Sequence, residues 1–344
     1  MTHQSNRLYI LQVPMLAIEA KNLTKKYDEL KAVNDISFSV DEGEIFGLLG
    51  PNGAGKTTTI KMLTTLTKPT EGWAKVCGYD ILKQRDNVRS TVGIVFQEPA
   101  LDNRLTGREN LDFHARLYGL DKDTRQKRIK EVLEMVELAD KADTIVRDYS
   151  GGMQRRLEIA RGLMHYPKVL FLDEPTLGLD TQTRRHIWEY VLNLNKKERT
   201  TIILTTHYME EADYLCRRVA IIDFGKIVAL DTPDNLKSIL GGDVISLEVT
   251  SPDKAYSVFQ KIPWVKKITQ HDGIIDLNCE EGEKKIPLLM KEDRDNIGFE
   301  IKSINLRKPT LEDVFLHFSG KTIREAEASE LEKNKRKMKR RVRE

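Results

Sequence analysis

The chain is poor in cysteine and has no long apolar runs. Three cysteines, Cys77, Cys216 and Cys279, occur among 344 residues. Their spacing fits neither a metal site nor a disulfide framework, so a reducing, cytosolic setting is expected. No run approaches the roughly 20 apolar residues that span a bilayer. A membrane-embedded class is thereby excluded, a soluble chain is expected, and any membrane part falls to another polypeptide. The apolar stretch 8–18 is broken by Gln12 and Pro14, with no basic segment or small-residue cleavage site around it. It reads as a leader into a strand and not as a signal peptide, and Met15 rivals Met1 as the start. No solenoid-type repeat is visible.

Apolar residues make up 40% of the chain and charged residues 32%, enough for a buried core under a well-solvated surface. The length suggests two domains. Lys333, Lys335, Arg336, Lys337, Lys339, Arg340, Arg341 and Arg343 crowd into one tail, and subtracting those eight from the net charge of +3 leaves −5 on the rest. A basic tail on a mildly acidic body does not suggest a nucleic-acid-binding core, and no nucleic-acid partner is expected. The tail reads first as a solvated end and second as a segment drawn to an anionic membrane surface.

From about residue 16 to 240 short apolar runs alternate with helical patterns, the rhythm of a parallel sheet with crossover helices and hence of an α/β class. Buried strands are predicted at 44–50, 91–97, 168–174 and 200–207, with a hairpin over 218–231 that turns at Phe224-Gly225. Between about 98 and 164 amphipathic helices replace the strands, which predicts an inserted helical subdomain. Gly241-Gly242 mark a boundary, after which the order reads β-α-β-β-α-β, a ferredoxin-like α+β arrangement, closed by a helix at 310–320. The expected layout is an extension at 1–14, a main domain at 15–240, an accessory domain at 241–320 and the basic tail at 321–344.

"GPNGAGKTT" carries the first chemistry. Gly50, Gly55, Lys56 and Thr57 fit G-x-x-x-x-G-K-[ST] between a predicted strand and helix, the context in which backbone N–H groups wrap the phosphates of a nucleoside triphosphate. Pro51, Asn52, Gly53, Ala54 and Thr58 complete the loop. Lys56 supplies a cation to the β/γ oxygens and the Thr57 hydroxyl a ligand to Mg²⁺. The strand ending "LFLDE" supplies the other half: Asp173 to hold Mg²⁺ through water, and Glu174 to polarise the attacking water.

A second glycine pair lies in "VRDYSGGMQRRLEIA", where Ser150, Gly151 and Gly152 cap a helix whose N-terminus carries about +0.5 of an elementary charge. With all these motifs in order, residues 16–240 resemble the ATP-binding subunits of ABC transporters. The family's signature loop is usually written LSGGQ; here Tyr149 replaces the leucine and the glutamine falls one place later, at Gln154. The resemblance implies a P-loop ABC ATPase fold, with ATP and Mg²⁺ bound. It also implies that two subunits, copies or homologues, meet head to tail, so that Ser150, Gly151, Gly152 and Gln154 serve the partner's nucleotide. By the same resemblance Tyr27 stacks on adenine, Gln97 touches Mg²⁺ and the attacking water, His207 holds the γ-phosphate, and Asp180 sits at the dimer seam. Leu177-Gly178 depart from the family's usual Ser-Ala there.

"TGREN" within 98–111, "PTLGLDTQTRRHIW" and "PTLEDVFLHFSG" resemble the daunorubicin-resistance-type ATPases. That likeness implies a separate six-helix permease of the ABC-2 type docking on 98–111, a place on the cytoplasmic face of the membrane, and export of a drug, lipid, polysaccharide or ion. Their C-terminal extension corresponds to 243–319, either a stabiliser or regulator of the dimer or a passive packing module. The competing class is a soluble, non-transport ABC ATPase. A long coiled-coil insertion and a second cassette, features of such proteins, are both missing from this sequence.

Overall fold

The computed structural model describes residues 15–98, 100–271, 273–292 and 299–320. The expected extension at 1–14 and the basic tail, with its eight clustered cations, lie outside the described residues. The larger part opens with strands β1 (Leu16–Tyr27), β2 (Leu30–Asp41) and β3 (Ile45–Leu49), helix α1 (Lys56–Leu63), β4 (Glu71–Val76), β5 (Tyr79–Asp80), α2 (Arg85–Thr91) and β6 (Val92–Val95). Helices α3 (Gly107–Leu117), α4 (Lys122–Met135) and α5 (Gly151–Gly162) follow. It continues through β7 (Val169–Asp173), α6 (Thr181–Glu198), β8 (Thr201–Thr206), α7 (Met209–Leu215), β9 (Arg218–Asp223), β10 (Lys226–Asp231) and α8 (Pro233–Ser238).

The central sheet runs β10-β9-β3-β8-β7-β6. All neighbours are parallel except β10, which returns antiparallel on β9. Every residue of β3, β7 and β8 is buried, because both faces of the parallel sheet are covered, one of them by α1 together with strands β1, β2 and β4. That is why these strands read as unbroken apolar runs.

The expectation of one parallel sheet through 16–240 misses a second one, the antiparallel sheet β2-β1-β4-β5. The β1–β2 ladder shifts register at four places between Leu16 and Lys26. Each shift breaks the two-residue alternation that marks a strand in sequence. Phe38 of β2 stacks on Phe46 of β3, with ring centroids 5.5 Å apart, and so seats this sheet on the central one.

The smaller part comprises β11 (Asp243–Val249), α9 (Pro252–Phe259), β12 (Lys267–His271), β13 (Ile274–Cys279), α10 (Gly282–Glu292) and β14 (Ile301–Arg307), with the antiparallel order β12-β13-β11-β14. Ile245, Leu247, Phe259, Ile275 and Leu277 give it a core of its own. The last described helix, α11 (Leu311–Ser319), departs from the expected grouping with 241–320. Leu311, Val314 and Phe315, an i, i+3, i+4 stripe, join the larger core beside Leu215, Leu236 and Leu240. Arg307 Nη2 meanwhile donates to Asp313 Oδ1 at 2.7 Å and holds the helix to β14.

Candidate active site

The carboxyl ends of four parallel strands make the site. Leu49 pairs with Thr206, Thr205 with Asp173, and Leu172 with Val95. The loop 50–57, His207, Asp173-Glu174 and Gln97 therefore follow neighbouring strands along one edge, where parallel α/β sheets bind ligands.

Within the loop, Asn52 and Gly53 form the exposed crest while Pro51 and Ala54 are buried and Thr58 is half-buried. Gly55 has φ +108°, and a Cβ there would lie 2.4 Å from the Ala32 carbonyl oxygen of β2. Both conformation and space demand glycine, and the antiparallel sheet closes one wall of the loop. A Cβ on Gly50 would meet the Ile222 carbonyl at 2.2 Å. The loop leads into α1, whose first-turn amides at Lys56, Thr57 and Thr58 have no intrahelical acceptor.

Lys56 is 4% exposed. Its Nζ donates to the Gly50 carbonyl at 2.7 Å and the Pro51 carbonyl at 3.0 Å, and lies 3.3 Å from Glu174 Oε1. The Thr57 hydroxyl donates to Asp173 Oδ1 at 3.0 Å, and the Thr205 hydroxyl donates to the same oxygen at 2.5 Å. Glu174 takes φ +48°, a left-handed backbone uncommon outside glycine. Its amide is held by the Thr205 hydroxyl at 3.0 Å and the Thr205 carbonyl at 3.1 Å. Burial pushes its carboxyl up, but His207 and Lys56 outweigh burial and hold it below the ordinary glutamate value. His207 Nδ1 lies 3.3 Å from Glu174 Oε2, an electrostatic contact and not an aligned hydrogen bond. Gln97 is exposed two residues beyond β6. Tyr27 is exposed at the end of β1, with Lys25 Nζ 4.8 Å from its ring centre.

Ser150, Gly151, Gly152 and Asp180 gather in a second cluster. Ser150 caps α5 by accepting the Met153 amide at 3.3 Å. A Cβ on Gly152 would strike Thr183 Cγ2 at 2.5 Å, whereas one on Gly151 would find its nearest neighbour, Leu179 Cδ2, at 3.7 Å. Asp180 caps α6, accepting the Thr183 amide at 3.0 Å and hydroxyl at 2.6 Å. A cavity of about 270 Å³ opens beside Ser150, Gly152, Arg156 and Thr183. Gln154 turns away: its Nε2 donates to the Val146 carbonyl at 3.3 Å and the Tyr149 carbonyl at 3.4 Å, bracing the loop behind the helix start.

Three residues escaped the sequence reading: Thr205, which supports Asp173 and Glu174, and the buried pair Arg155 and Glu158. The signal for the pair was two opposite charges at i, i+3 on the same helix face as Ile159 and Gly162.

The ABC transporter family matches residues 33–177, and the C-terminal domain family of DrrA1-3-like ATP-binding proteins matches residues 232–318. The linearmycin resistance ATP-binding protein LnrL of Bacillus subtilis (strain 168) is 42% identical over 312 residues, 90% of this chain and 100% of that protein. The chain belongs to the ABC transporter ATP-binding proteins. The daunorubicin resistance ATP-binding protein DrrA2 of Streptomyces coeruleorubidus is 40% identical over 91% of this chain and 98% of its own length. Among solved structures, the ATP-binding cassette MJ0796, a dimer in a post-hydrolysis state bound to ADP and Pi, superposes with a TM-score of 0.56 at 29% identity, over 62% of this chain and 98% of that one. As an ABC ATPase the chain binds and hydrolyses ATP and serves as the ATP-binding subunit of an ABC transporter. Among the described residues no helix is long and apolar enough to cross a membrane.

Proposed function

We propose that two copies of this chain, or one copy and a homologous ATPase subunit, close around two ATP molecules, each completing the other's pocket. The nucleotide site in this reading is carried by two contacts, the Lys56–Glu174 ion pair and the Thr57 hydroxyl donating to Asp173. Lys56 and the first-turn amides of α1 bind the β- and γ-phosphates. Thr57 Oγ1 and Asp173 Oδ1, hard oxygen donors already paired, fit Mg²⁺. Mg²⁺ when bound there would neutralise charge on the phosphates. Glu174, ionised at neutral pH, orients and polarises the attacking water, with Gln97 at its side and His207 toward the γ-phosphate. Tyr27 stacks on the adenine. Ser150, Gly151 and Gly152 serve the partner's γ-phosphate, with Asp180 and Gln154 supporting that face. The room at Gly151 favours this, since nothing within the subunit demands a glycine there.

The division of labour follows: an ATPase unit at 15–240 to which α11 returns, its helices and the 98–111 stretch turned to a separate ABC-2-type permease, and an accessory unit built on β11 to β14. The subunit works from the cytoplasmic membrane face. The exported class is a drug, lipid, polysaccharide or ion, and the relatives' names, linearmycin and daunorubicin resistance, favour a drug. Glu174→Gln tests the core of this. Turnover should fall by about 10²–10⁴ while Mg-ATP converts the variant to a dimer on size exclusion. A variant that remains monomeric at saturating Mg-ATP would overturn the shared-pocket reading.

A further inference from the structure

We infer that Arg155 is a positioning residue for hydrolysis, tying helix α5 to the backbone on which Glu174 and Gln97 stand in its own subunit. The inference rests on the reading of Glu174 as the water-polarising carboxylate. Arg155 lies one turn beyond the Ser150 cap and is 8% exposed. All five guanidinium N–H groups have acceptors. Nε donates to the Pro175 carbonyl at 2.7 Å, and Nη2 donates to the Asp173 carbonyl at 3.0 Å and the Glu174 carbonyl at 3.2 Å. Nη1 donates to the Phe96 carbonyl at 2.6 Å and to Glu158 Oε2 at 2.9 Å. Glu158, 2% exposed, accepts the Ala100 amide at 2.7 Å through its other oxygen.

Three consecutive carbonyls around the hydrolytic carboxylate therefore converge on one planar group. The ion pair also grips the chain on both sides of Gln97, at Phe96 and at Ala100. The left-handed backbone at Glu174 needs such a frame, because an unfavoured conformation persists only where its surroundings over-determine it. Thr205 holds the amide side of Glu174 and Arg155 holds the carbonyl side. The same helix begins at the glycines offered to the partner's nucleotide. Engagement of α5 by a second subunit thus bears, through a few rigid bonds, on the carboxylate serving the first subunit's nucleotide.

A lysine keeps the charge and the pairing with Glu158, but its ammonium lacks the planar fork needed for the carbonyls. Arg155→Lys, in the full-length chain, should lower kcat by about 10- to 100-fold and leave KM for Mg-ATP within about threefold. Its thermal melting should stay close to that of the parent, and ATP should still drive dimerisation. The paired variant R155Q/E158Q, which leaves no lone buried charge, should behave alike. A folded variant with kcat within about twofold of the parent overturns the inference. So does a rise in KM in step with the fall in kcat, the mark of general damage. If the paired variant fails to fold, Arg155→Lys decides. Glu174→Gln runs alongside: full turnover there overturns the assignment of Glu174, whereas an inactive Glu174→Gln beside a fully active Arg155→Lys overturns the role of Arg155 alone.

Discussion

Two of the helix starts in this molecule, those of α1 and α5, carry the glycines of the two motifs, and they are built in opposite ways. The start of α1 is enclosed by its own subunit: Gly55 abuts Ala32, and Lys56 is buried among the Gly50 and Pro51 carbonyls and Glu174. The start of α5 is open, with Ser150 and Gly151 exposed and room at Gly151 for a side chain. Both offer unpaired amides to an anion. The first comes with a buried cation, metal-fitting oxygens and a carboxylate; the second comes with its dipole, its cap and Arg156 in the cavity beside it. A complete site and half of one are what the proposed dimer requires.

Breaking each start in turn should separate the two roles. Lys56→Ala should weaken ATP binding itself by about 10- to 100-fold, in the monomer as much as in the dimer, as calorimetry would measure. Ser150→Ala should leave that affinity unchanged and abolish most hydrolysis. A Ser150 variant that loses affinity for ATP as a monomer would erase the distinction. The glycines sharpen it further. Gly152→Ala should cost about 1–3 kcal/mol of folding stability by forcing a methyl against Thr183. Gly151→Ala should stay within about 1 kcal/mol of the parent and still depress turnover.

A further effect is one of pH. His114 on α3, which packs against α5, is half-buried. Burial, then Arg161 and His165, pull its pKa down to about 4 from the ordinary 6.5. The unfolded chain takes up this proton first, so stability is lost as pH falls from about 6.5 toward 4 and levels off below that. A loss of about 1–2 kcal/mol is expected once solvent at the ring is allowed for. Acid should loosen the mount of α5 before that of α1, as hydrogen exchange would record, and His114→Leu should flatten the slope.

How much was legible in advance follows from the same physics. The parallel strands announced themselves because burial on both faces leaves unbroken apolar runs, and the phosphate loop because its glycines and lysine stand at fixed spacing between a strand and a helix. The β1–β2 sheet did not, since its register shifts scatter the alternation. Gln154 matched a motif letter, but its amide braces a loop behind the helix start. The Arg155–Glu158 pair was invisible as a frame because charges on a helix are solvated far more often than buried, and the carbonyls it gathers come from strands distant in sequence. The fate of α11 was hidden as well: an apolar stripe does not say which core it will enter.

That last helix bears on how the polypeptide is made. Leu311, Val314 and Phe315 fill a place beside Leu215, Leu236 and Leu240, so the main body cannot finish its interior until the chain has been made through α11, well past the end of α8. A nascent chain stalled before residue 311 would present a greasy, uncovered patch to chaperones and proteases. Only subunits translated through that helix escape such scrutiny.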